Sequence, residues 1–329
     1  MRIAVLGAGA WGTALGIALA SRHQVFLWGR DARQCEALAT ARVNERYLPG
    51  VSLPDGMQVG ADLAQALSDC SLVIIAVPLG GLRETLREVA KFPGAGVVWL
   101  CKGFEAGSAK FPHQVAGEEL PDGRPRAALS GPSFAAEVAR GLPAAVTVAS
   151  PDAAFAAACS RELHTGRLRV YSSGDLVGVE TGGAVKNVIA IAAGVCDGLK
   201  LGASARAALI TRGLAEITRL GLRLGGRSET FMGLAGAGDL MLTATSDLSR
   251  NRRVGLQLAA GQTLAEILGQ LGHVAEGVHS AREVLRLAEK HGVDMPITRA
   301  VSDLLAGRMS APDLVDNLLQ REPKQESVR

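Results

Sequence analysis

The sequence predicts an α/β fold in two parts, a doubly wound parallel sheet followed by an all-α C-terminal domain. Two observations support this prediction: short apolar runs alternate with helical periodicity up to about residue 174, and only helical periodicity continues after Asp175. A length of 329 residues agrees with two domains, since one domain takes roughly 150 residues. We place the first domain at residues 1–177 and the second at residues 178–329.

The apolar runs of the first half have the length and composition of strands that are buried on both faces of a sheet. The five clearest runs are Ile3 to Leu6, Val25 to Trp28, Leu72 to Val77, Val97 to Leu100 and Ala127 to Leu129. Two more, Ala145 to Ala149 and Leu168 to Tyr171, are candidates to extend the sheet. Helical stretches separate the runs, which indicates βαβ units and a parallel sheet.

The second half shows the periodicity of amphipathic and buried helices, with a period of about 3.6 residues. The stretches are Gly178 to Ala193, Ala203 to Leu224, Arg250 to Ala260, Leu264 to Leu271 and Val278 to His291. A last pair of short helices begins at Met295-Pro296. Because no strand-like run lies between these stretches, we predict an all-helical domain.

Charge and cysteine usage exclude several classes of function. The 35 Lys and Arg residues exceed the 32 Asp and Glu residues by three, and the charges are scattered, so nucleic acid is not expected as a partner. The five cysteines lie at least 31 positions apart. This spacing fits neither a disulfide framework nor a zinc site, so we expect no metal and a reducing, cytoplasmic location.

One uncharged stretch, Ile3 to Ala20, has the length of a signal or membrane segment. Four glycines fall within it, and a second strand-like run follows at Gln24 to Trp28. We therefore expect this stretch to form a strand and a helix of the sheet domain, without stable membrane insertion.

The motif Gly7-Ala8-Gly9-Ala10-Trp11-Gly12 lies between the first apolar run and the first helical stretch. That context favours a Rossmann-type dinucleotide-binding turn over a plain glycine turn. The first glycine permits the tight turn, the second lets the backbone approach a pyrophosphate, and the third lets the helix pack on the strand. The helix N-terminus then faces the phosphates, so we predict a nicotinamide dinucleotide cofactor.

Arg30 and Asp31 follow the second apolar run, where such domains recognise the ribose of the adenosine half. A guanidinium suits a 2′-phosphate through two parallel hydrogen bonds, whereas a carboxylate accepts hydrogen bonds from the ribose hydroxyls of NAD. NADP(H) is therefore the favoured cofactor, and NAD(H) stays open if Asp31 faces the ribose. In the alternative interpretation, Arg30 is a solvated loop charge.

Two lysines and one aspartate are candidates for the chemistry. Lys102 follows a buried apolar run, and Lys186 lies in an otherwise apolar, small-residue helix, where an ammonium without a purpose would be costly. A second cation such as Lys102 would lower the pKa of Lys186 from about 10.4 toward a range useful for proton transfer. Asp239 could orient a lysine or accept a hydrogen bond from a substrate hydroxyl. The alternative for Lys186 is a snorkelling side chain at the domain boundary.

Two turns have features of anion-binding sites. Ser130-Gly131-Pro132-Ser133 ends a strand and starts a helix, where Ser133 is either an N-cap or a ligand contact. Ser249-Arg250-Asn251-Arg252-Arg253 begins a helix and collects guanidinium, amide and free N–H donors, which predicts a phosphate site. The alternative for the second turn is a solvated basic segment.

Together these motifs resemble those of one family, the bacterial-type NAD(P)-dependent glycerol-3-phosphate dehydrogenases. The resemblance covers nearly the whole chain and rests on eight motifs in the same order. They are Gly7 to Ala14, Leu27 to Arg30, Lys102-Gly103, Ser130 to Ala135, Gly182 to Asn187, Gly236 to Leu240, Ser249 to Arg253 and Glu276-Gly277.

The resemblance implies reversible reduction of dihydroxyacetone phosphate, a phosphorylated triose, to sn-glycerol 3-phosphate for the glycerol backbone of phospholipids. It makes Lys186 the proton donor and acceptor, with Lys102 and Asp239 as further catalytic residues. The residues it assigns to cofactor binding are Gly7, Gly9, Ala10, Trp11, Gly12, Arg30, Tyr47, Lys102, Ala135, Arg250, Val274 and Glu276. Those it assigns to substrate binding are Lys102, Gly131, Ser133, Lys186, Asn187, Asp239, Ser249, Arg250 and Asn251.

Two other functions stay open. One is a reductase of the ketopantoate type, which also uses a lysine on a helix; the predicted phosphate site argues against it. The other is a non-catalytic NAD(P)-binding sensor, which would not explain two lysines and Asp239 directed at one cleft. The sequence does not establish the oligomeric state, and a homodimer is a hypothesis.

Overall fold

The structure is a computed structural model that describes residues 1–271 and 275–320. The chain divides into two compact units. Unit 1 consists of Met1–Cys101 and Phe111–Leu176, and unit 2 consists of Lys102–Lys110 and Val177–Arg329. The chain therefore leaves unit 1 twice, because the loop Lys102–Lys110 belongs with unit 2. The sequence analysis predicts one domain boundary, after residue 177, and this boundary does not account for the loop Lys102–Lys110.

Unit 1 contains ten strands. They are β1 (Arg2–Leu6), β2 (Gln24–Trp28), β3 (Val43–Asn44), β4 (Leu48–Ser52), β5 (Gln58–Gly60), β6 (Leu72–Ile75), β7 (Gly96–Trp99), β8 (Arg126–Ser130), β9 (Ala144–Ala149) and β10 (Leu168–Ser173). Eight of them form one sheet in the order β10-β9-β8-β7-β6-β1-β2-β5, and β3 pairs with β4 separately. All seven strand-like runs of the sequence are strands of the large sheet.

Seven α-helices and one 3-10 helix (Leu79–Gly81) accompany the strands of unit 1. The α-helices are α1 (Ala10–Leu19), α2 (Ala32–Ala41), α3 (Leu63–Leu67), α4 (Leu82–Ala90), α5 (Pro112–Glu119), α6 (Ala135–Ala139) and α7 (Ala153–Leu163). Three of them begin after an aspartate, Asp31, Asp62 or Asp152, whose carboxylate accepts hydrogen bonds from two backbone N–H groups of the first turn. The uncharged stretch Ile3 to Ala20 contributes β1 and α1, and most of its side chains are buried.

The sheet is parallel except at one junction. β1 lies inside it, with Ile3 opposite Val25 of β2 and opposite Leu72 of β6, both in parallel register. β9 runs antiparallel to β8, with Ala128 opposite Ala149, so the candidate run Ala145 to Ala149 extends the sheet as an antiparallel strand. The segment between β8 and β9 contains only the five-residue helix α6, whereas parallel neighbours are usually joined by a longer helical crossover.

Unit 2 contains nine α-helices and one π-helical turn in the described part of the chain. They are α8 (Leu176–Gly198), α9 (Ala203–Arg223), α10 (Ser228–Met232), the π-helical turn (Leu234–Gly238), α11 (Asp239–Thr245), α12 (Arg250–Ala259), α13 (Leu264–Leu271), α14 (Glu276–Lys290), α15 (Pro296–Leu305) and α16 (Ala311–Leu319). No strand occurs among the described residues of unit 2, as the periodicity predicts.

Helix α8 is the central element of unit 2. Residues 178–196 are buried without interruption. By length and composition α8 could cross a membrane, with a mean hydropathy of 1.3, but 94% of that apolar window is buried inside the protein. Helix α12 packs against it backbone to backbone: a Cβ on Gly194 would lie 2.0 Å from the Arg252 carbonyl oxygen, and one on Gly255 would lie 2.0 Å from the Ile191 carbonyl oxygen. These two glycines therefore set the distance between the helices.

A buried carboxylate joins two helices at another point of unit 2. Glu216 of α9 accepts hydrogen bonds from the N–H groups of Ile297 (2.6 Å) and Thr298 (3.1 Å), and from the Thr298 hydroxyl (2.9 Å). These groups lie in the first turn of α15, so Glu216 acts as a cap supplied by another helix. Burial raises the pKa of Glu216 to about 7, and the hydrogen bonds at α15 oppose that rise.

We expect Glu216→Ala to lower the free energy of unfolding by about 2–4 kcal/mol, because it leaves buried N–H groups of α15 without acceptors. Urea denaturation at pH 8 measures this loss. The matched control is Glu289→Ala in α14, which removes an exposed carboxylate paired with Arg299 and should change stability by less than about 0.5 kcal/mol. Equal losses in the two variants would contradict the capping role.

Candidate functional site

The glycine turn of unit 1 is built by close backbone contacts. Gly7 has φ +125°, and a Cβ there would lie 2.7 Å from the carbonyl carbon and oxygen of Ala76. A Cβ on Gly12 would lie 2.0 Å from the Gly7 carbonyl oxygen. A Cβ on Gly9, in contrast, would meet no atom of the described residues within 4 Å. Gly7 and Gly12 are therefore required by packing, whereas Gly9 faces open space.

This open space lies at the N-terminus of α1. Gly9 is the N-cap of the helix and has no side chain to accept a hydrogen bond, so the N–H groups of Ala10 and Trp11 have no acceptor within the helix. Free N–H groups and the positive end of a helix dipole bind anions. The donors and the room above Gly9 fit the pyrophosphate of a dinucleotide.

Asn44 supports this turn, and the sequence analysis missed it. Its side-chain amide donates to the Ala8 carbonyl (3.1 Å) and to the Thr13 hydroxyl (2.7 Å). Its side-chain oxygen accepts from the N–H of Tyr47 (3.3 Å). Asn44 thus connects the turn to the segment that carries Tyr47, whose half-buried ring lies 5.1 Å from the Arg46 guanidinium. A single asparagine in a two-residue strand has no sequence pattern that would reveal it.

The loop after β2 separates the roles of Arg30 and Asp31. The Asp31 carboxylate accepts from the N–H groups of Arg33 (3.0 Å) and Gln34 (3.2 Å), so it is occupied as the N-cap of α2. Arg30 is exposed, and it has no ion pair with any residue that the structure describes. The guanidinium is the group that is available to a ligand here.

The turn after β8 corrects one prediction. Gly131 has φ +144°, and a Cβ there would lie 2.9 Å from the Val146 Cα, which explains the glycine. Ser133 is not an N-cap: α6 begins at Ala135 after Phe134, and the Ser133 hydroxyl donates to the Gly131 carbonyl (3.2 Å). The N-cap position of α6 is taken by Phe134, whose backbone is extended.

Two predicted cofactor contacts, Trp11 and Ala135, lie in the same small apolar cluster of unit 1. They pack against the buried side chains of Ala14, Leu48 and Ala139. The fold therefore brings the start of α1 and the start of α6 together, although 124 positions separate them in sequence.

Four side chains of unit 2 form a buried charge cluster. Lys186 of α8 donates hydrogen bonds to the Asp239 Oδ1 and to the Thr243 hydroxyl (2.9 Å). Lys102 donates to the other carboxylate oxygen of Asp239, Oδ2, at 2.7 Å. The Lys186 and Asp239 side chains are 8% and 2% exposed, and that of Lys102 is 16% exposed. The three charged candidates from the sequence thus meet around one carboxylate.

Glycines and a π-helical turn bring Asp239 to Lys186. Gly182, four positions before Lys186, lets α8 approach the turn: a Cβ there would lie 2.5 Å from the Ala235 carbonyl oxygen. A Cβ on Gly236 would lie 2.1 Å from the Phe231 carbonyl oxygen. The turn ends at Gly238, so Asp239 is the first residue of α11. π-helical turns often occur where a side chain has to be re-aimed at a functional site.

Burial and charge act in opposite directions on the two central groups. Burial and the nearby Lys102 charge lower the pKa of Lys186 to about 8, while the Asp239 and Glu276 carboxylates oppose that change. Burial raises the pKa of Asp239, but the Lys102 and Lys186 charges outweigh it and leave the pKa below its ordinary value. Asp239 is therefore ionised at neutral pH, and the three groups carry a net charge of +1 when both lysines are protonated.

A second group of predicted residues forms a hydrogen-bond chain. The Asn187 side chain donates to Glu276 (3.2 Å) and accepts from the Asn251 amide (3.0 Å). Asn251 in turn accepts from the N–H of Gly277 (2.9 Å). The chain joins α8, α12 and the start of α14, immediately beside Lys186 in sequence. Each amide keeps one N–H that these bonds do not use.

The turn before α12 is only partly available to a ligand. Ser249 is buried and caps α12 by accepting from the Arg252 N–H (3.2 Å). The Arg252 guanidinium is held by Asp197 (2.7 Å) and Asp247 (2.6 Å). Arg250 is exposed and has no ion-pair partner in the described part of the chain. Arg250 is thus a cation that is available to a ligand, and Arg253 of the same motif is exposed as well. Val274 lies outside the described residues.

Thr243 is another contact that the sequence analysis missed. Its hydroxyl donates to the Asp239 carbonyl (2.6 Å) and accepts from Lys186. Its position four residues after Asp239, on the same helix, was a usable signal, because side chains at this spacing share one helix face.

The chain matches family models over most of its length. The model for the N-terminal part of NAD-dependent glycerol-3-phosphate dehydrogenase matches residues 2–156, and the model for its C-terminal part matches residues 175–316. A glycerol-3-phosphate dehydrogenase (NAD(P)+) from Nitrosospira multiformis is 60% identical over 334 residues, with 99% of each chain covered. The chain belongs to the NAD-dependent glycerol-3-phosphate dehydrogenase family.

Membership in the glycerol-3-phosphate dehydrogenase family confirms the prediction of an NAD(P)-dependent oxidoreductase. A crystal structure of glycerol-3-phosphate dehydrogenase from Coxiella burnetii is 41% identical, with a TM-score of 0.92 over 97% of this chain and 99% of that chain. This match confirms the predicted fold class. A ketopantoate reductase from Ralstonia eutropha, 15% identical with a TM-score of 0.58 over 97% of this chain and 100% of that chain, shares the fold alone.

The packed Gly12 and the open Gly9 should respond differently to substitution. We expect Gly12→Val to lower the free energy of unfolding by about 3 kcal/mol, because the side chain would overlap the Gly7 carbonyl. Gly9→Val should change stability by less than about 0.5 kcal/mol but weaken dinucleotide binding at least about 10-fold, because it fills the open space at the helix N-terminus. Thermal denaturation and dinucleotide titration measure the two effects. Loss of stability in Gly9→Val, or normal binding by it, would contradict this division of roles.

Proposed function

We propose that this protein catalyses the reversible reduction of dihydroxyacetone phosphate to sn-glycerol 3-phosphate with NAD(P)H. The observation that carries the proposal is the hydrogen bonding of the Lys186 ammonium. An ammonium has three N–H donors, and the described residues accept from two of them, at Asp239 and Thr243. The third N–H is left for the substrate's carbonyl oxygen. Family membership supplies the reaction class for which such a donor is suited.

Lys186 acts in this proposal as the general acid of the reduction. A pKa near 8 keeps it mostly protonated at neutral pH, yet close enough to neutrality to release the proton. Asp239 holds the ammonium in place, and Lys102 adds positive charge that stabilises the negative charge that develops on the substrate oxygen. In the reverse direction neutral Lys186 accepts the proton from the hydroxyl of glycerol 3-phosphate.

The cofactor is proposed to bind to the glycine turn of unit 1. Gly7, Gly9, Ala10, Trp11 and Gly12 would hold the pyrophosphate by backbone contacts. When bound, the reduced nicotinamide supplies the hydride. Further contacts are proposed from Tyr47, Lys102, Ala135, Arg250, Val274 and Glu276.

NADPH is the proposed preferred cofactor. The free Arg30 guanidinium suits a 2′-phosphate, and the capping role of Asp31 removes the competing carboxylate.

The substrate phosphate is proposed to bind at Arg250 and Asn251. Their place in the first turn of α12 adds free backbone N–H groups to the guanidinium and the amide. Ser249, Asn187, Gly131 and Ser133 complete the proposed substrate contacts. Binding energy at the phosphate, remote from the reacting carbon, would position the carbonyl for proton and hydride transfer.

The first experiment follows the oxidation of NADPH and of NADH with dihydroxyacetone phosphate, and with ketopantoate as control. Rapid oxidation by the phosphorylated ketone alone supports the proposal, and a higher kcat/KM with NADPH supports the role of Arg30. Turnover of ketopantoate would favour the rival reductase, and dinucleotide binding without any turnover would favour a sensor.

Lys186→Ala is expected to lower kcat by about 1,000-fold and to leave the dinucleotide Kd within about 3-fold, because only the proton donor is lost. In the unmodified enzyme, reduction should slow as pH rises through about 8, since Lys186 must be protonated, and oxidation should quicken over the same range. Lys91→Ala, which removes an exposed ammonium paired with Glu88, is the control. A pH-independent rate between pH 7 and pH 9 in both directions would contradict the role of Lys186.

Arg250→Ala is expected to raise KM for dihydroxyacetone phosphate about 10- to 100-fold, because a charged hydrogen bond to the phosphate is lost. Steady-state kinetics measure this change. The exposed Arg212 of α9 provides a matched control, Arg212→Ala, with an unaltered KM. An unaltered KM in Arg250→Ala as well would show that the basic turn is merely solvated.

Three finer features complete the proposal. We propose a cytoplasmic location, in line with five cysteines that are all free thiols. We also propose a homodimer, which light scattering would test by finding twice the monomer mass. The product would serve as the glycerol backbone of phospholipids.

A further inference from the structure

The loop that carries Lys102 has little regular structure of its own. Gly103 and Gly107 have φ +117° and +79°, and Ala109 has φ +54°. Within the loop the Glu105 N–H donates to the Lys110 carbonyl (2.9 Å), and the Ala109 N–H donates to the Glu105 carbonyl (2.9 Å). These bonds close the loop on itself near its end, and they do not determine where the loop lies on unit 2.

Two side chains of α14 bind the loop at one residue, Gly107. Glu283 accepts a hydrogen bond from the N–H of Gly107 at 3.3 Å. Arg286, one turn later, donates to the Gly107 carbonyl oxygen at 3.0 Å. The N–H and the C=O of one loop residue are therefore both bound by the same helix face. We refer to Glu283 and Arg286 together as the Gly107 clamp.

The burial of the Glu283 carboxylate lowers the stability of the fold unless the carboxylate has a specific role. Its side chain is only 11% exposed, and its Oε2 atom is buried with no hydrogen-bond partner among residues 1–271 and 275–320. The Arg286 guanidinium lies 4.0 Å from Oε2, too far for a hydrogen bond. A buried carboxylate destabilises a fold unless it is well paired. Stability of α14 alone therefore does not explain the residue, and the bond to Gly107 is its direct contact with the loop.

Helix α14 also positions the other side of the proposed site. Its first residue, Glu276, accepts from Asn187, and the N–H of Gly277 donates to Asn251. A Cβ on Gly277 would lie 2.6 Å from the Asn187 carbonyl oxygen, so the helix start is fixed against α8. Glu283 lies seven positions after Glu276, two turns along the same helix face. One rigid helix thus contacts both the Asn187 chain and the Lys102 loop.

We infer that Glu283 is a positioning residue for the reaction: with Arg286 it clamps the backbone of Gly107, and it thereby keeps the Lys102 ammonium beside Asp239. This inference rests on the proposed function, because it assumes the roles given to Lys102 and Lys186. It adds a residue that touches neither substrate nor cofactor in the proposal and acts through the loop.

The inference predicts a signature in the pH profile. The charged groups that face Lys186 are Asp239 from α11, Lys102 from the loop and Glu276 from α14. Of these, Lys102 alone lowers the pKa of Lys186. If the clamp is lost and Lys102 moves away, the pKa of Lys186 rises, and the fall in reduction rate moves to higher pH. A residue with a merely structural role would not move this profile.

The test compares Glu283→Ala, Lys102→Ala and the double variant in the full-length enzyme. We expect Glu283→Ala to lower kcat for reduction roughly 10- to 100-fold, the size of effect that a misplaced group produces, and to shift the alkaline limb upward. Lys102→Ala should show the same upward shift. The double variant should be no slower than Lys102→Ala, since both changes remove the same interaction. Additive losses would overturn the inference.

Hydrogen exchange of the cofactor-free enzyme gives a second readout. Glu283→Ala should speed exchange of a peptide that contains Gly107 by at least about 10-fold. Glu283→Gln keeps an acceptor for the Gly107 N–H. Its kcat for reduction and its hydrogen-exchange rate at Gly107 should therefore stay within about 3-fold of those of the unmodified enzyme. Should Glu283→Ala fail to fold, Arg286→Ala, which changes a 65% exposed side chain, should show the same effects in smaller degree. Glu289→Ala on the same helix is the control, without either effect.

The outcomes separate the two proposals. A wild-type rate in Lys102→Ala overturns the role of Lys102 and the inference that rests on it. A slow Lys102→Ala together with a wild-type rate and profile in Glu283→Ala overturns the clamp alone. Unchanged exchange at Gly107 in both Glu283→Ala and Arg286→Ala also overturns the clamp.

Discussion

Unit 2 is organised around one buried carboxylate that serves two ammonium groups. Asp239 is almost fully buried, and each of its oxygens accepts from a different lysine. A single buried charge is costly, and removal of the carboxylate would leave both ammonium groups without their counter-ion. Close helix packing at Gly182 and the π-helical turn exist in the same small region, because the carboxylate must reach Lys186 from a separate helix.

The two units offer different kinds of hydrogen-bonding groups to a ligand. In unit 1 the glycine turn offers backbone N–H groups, whose direction is determined by the helix they begin. In unit 2 the groups are side chains, each held by hydrogen bonds to another helix. Backbone donors cannot be lost by a side-chain substitution, whereas the side-chain cluster depends on every member. Groups that are already oriented need no rearrangement when charge develops, which is the usual source of electrostatic catalysis.

Much of this arrangement could be predicted from the sequence, for identifiable reasons. Strands buried on both faces leave unbroken apolar runs, and GxGxxG has a local cause in the turn it forms. The hairpin β3-β4 was missed because it is short and contains Pro49 and Gly50. The antiparallel direction of β9 was missed because an apolar run shows where a strand lies but not which way it runs in the sheet. Asn44 and Glu283 were missed because each acts on a backbone group far away in sequence.

The excursion of the loop Lys102–Lys110 into unit 2 affects how this architecture can be exchanged between relatives. A chimera that joins one relative's first 176 residues to another's helical half would carry the loop from one parent and α14 from the other. The peptide at Gly107 would then face a foreign helix surface. To keep Lys102 and Lys186 together, a chimera would therefore have to take two separate segments from the same parent. These are the nine-residue loop and the helices of unit 2.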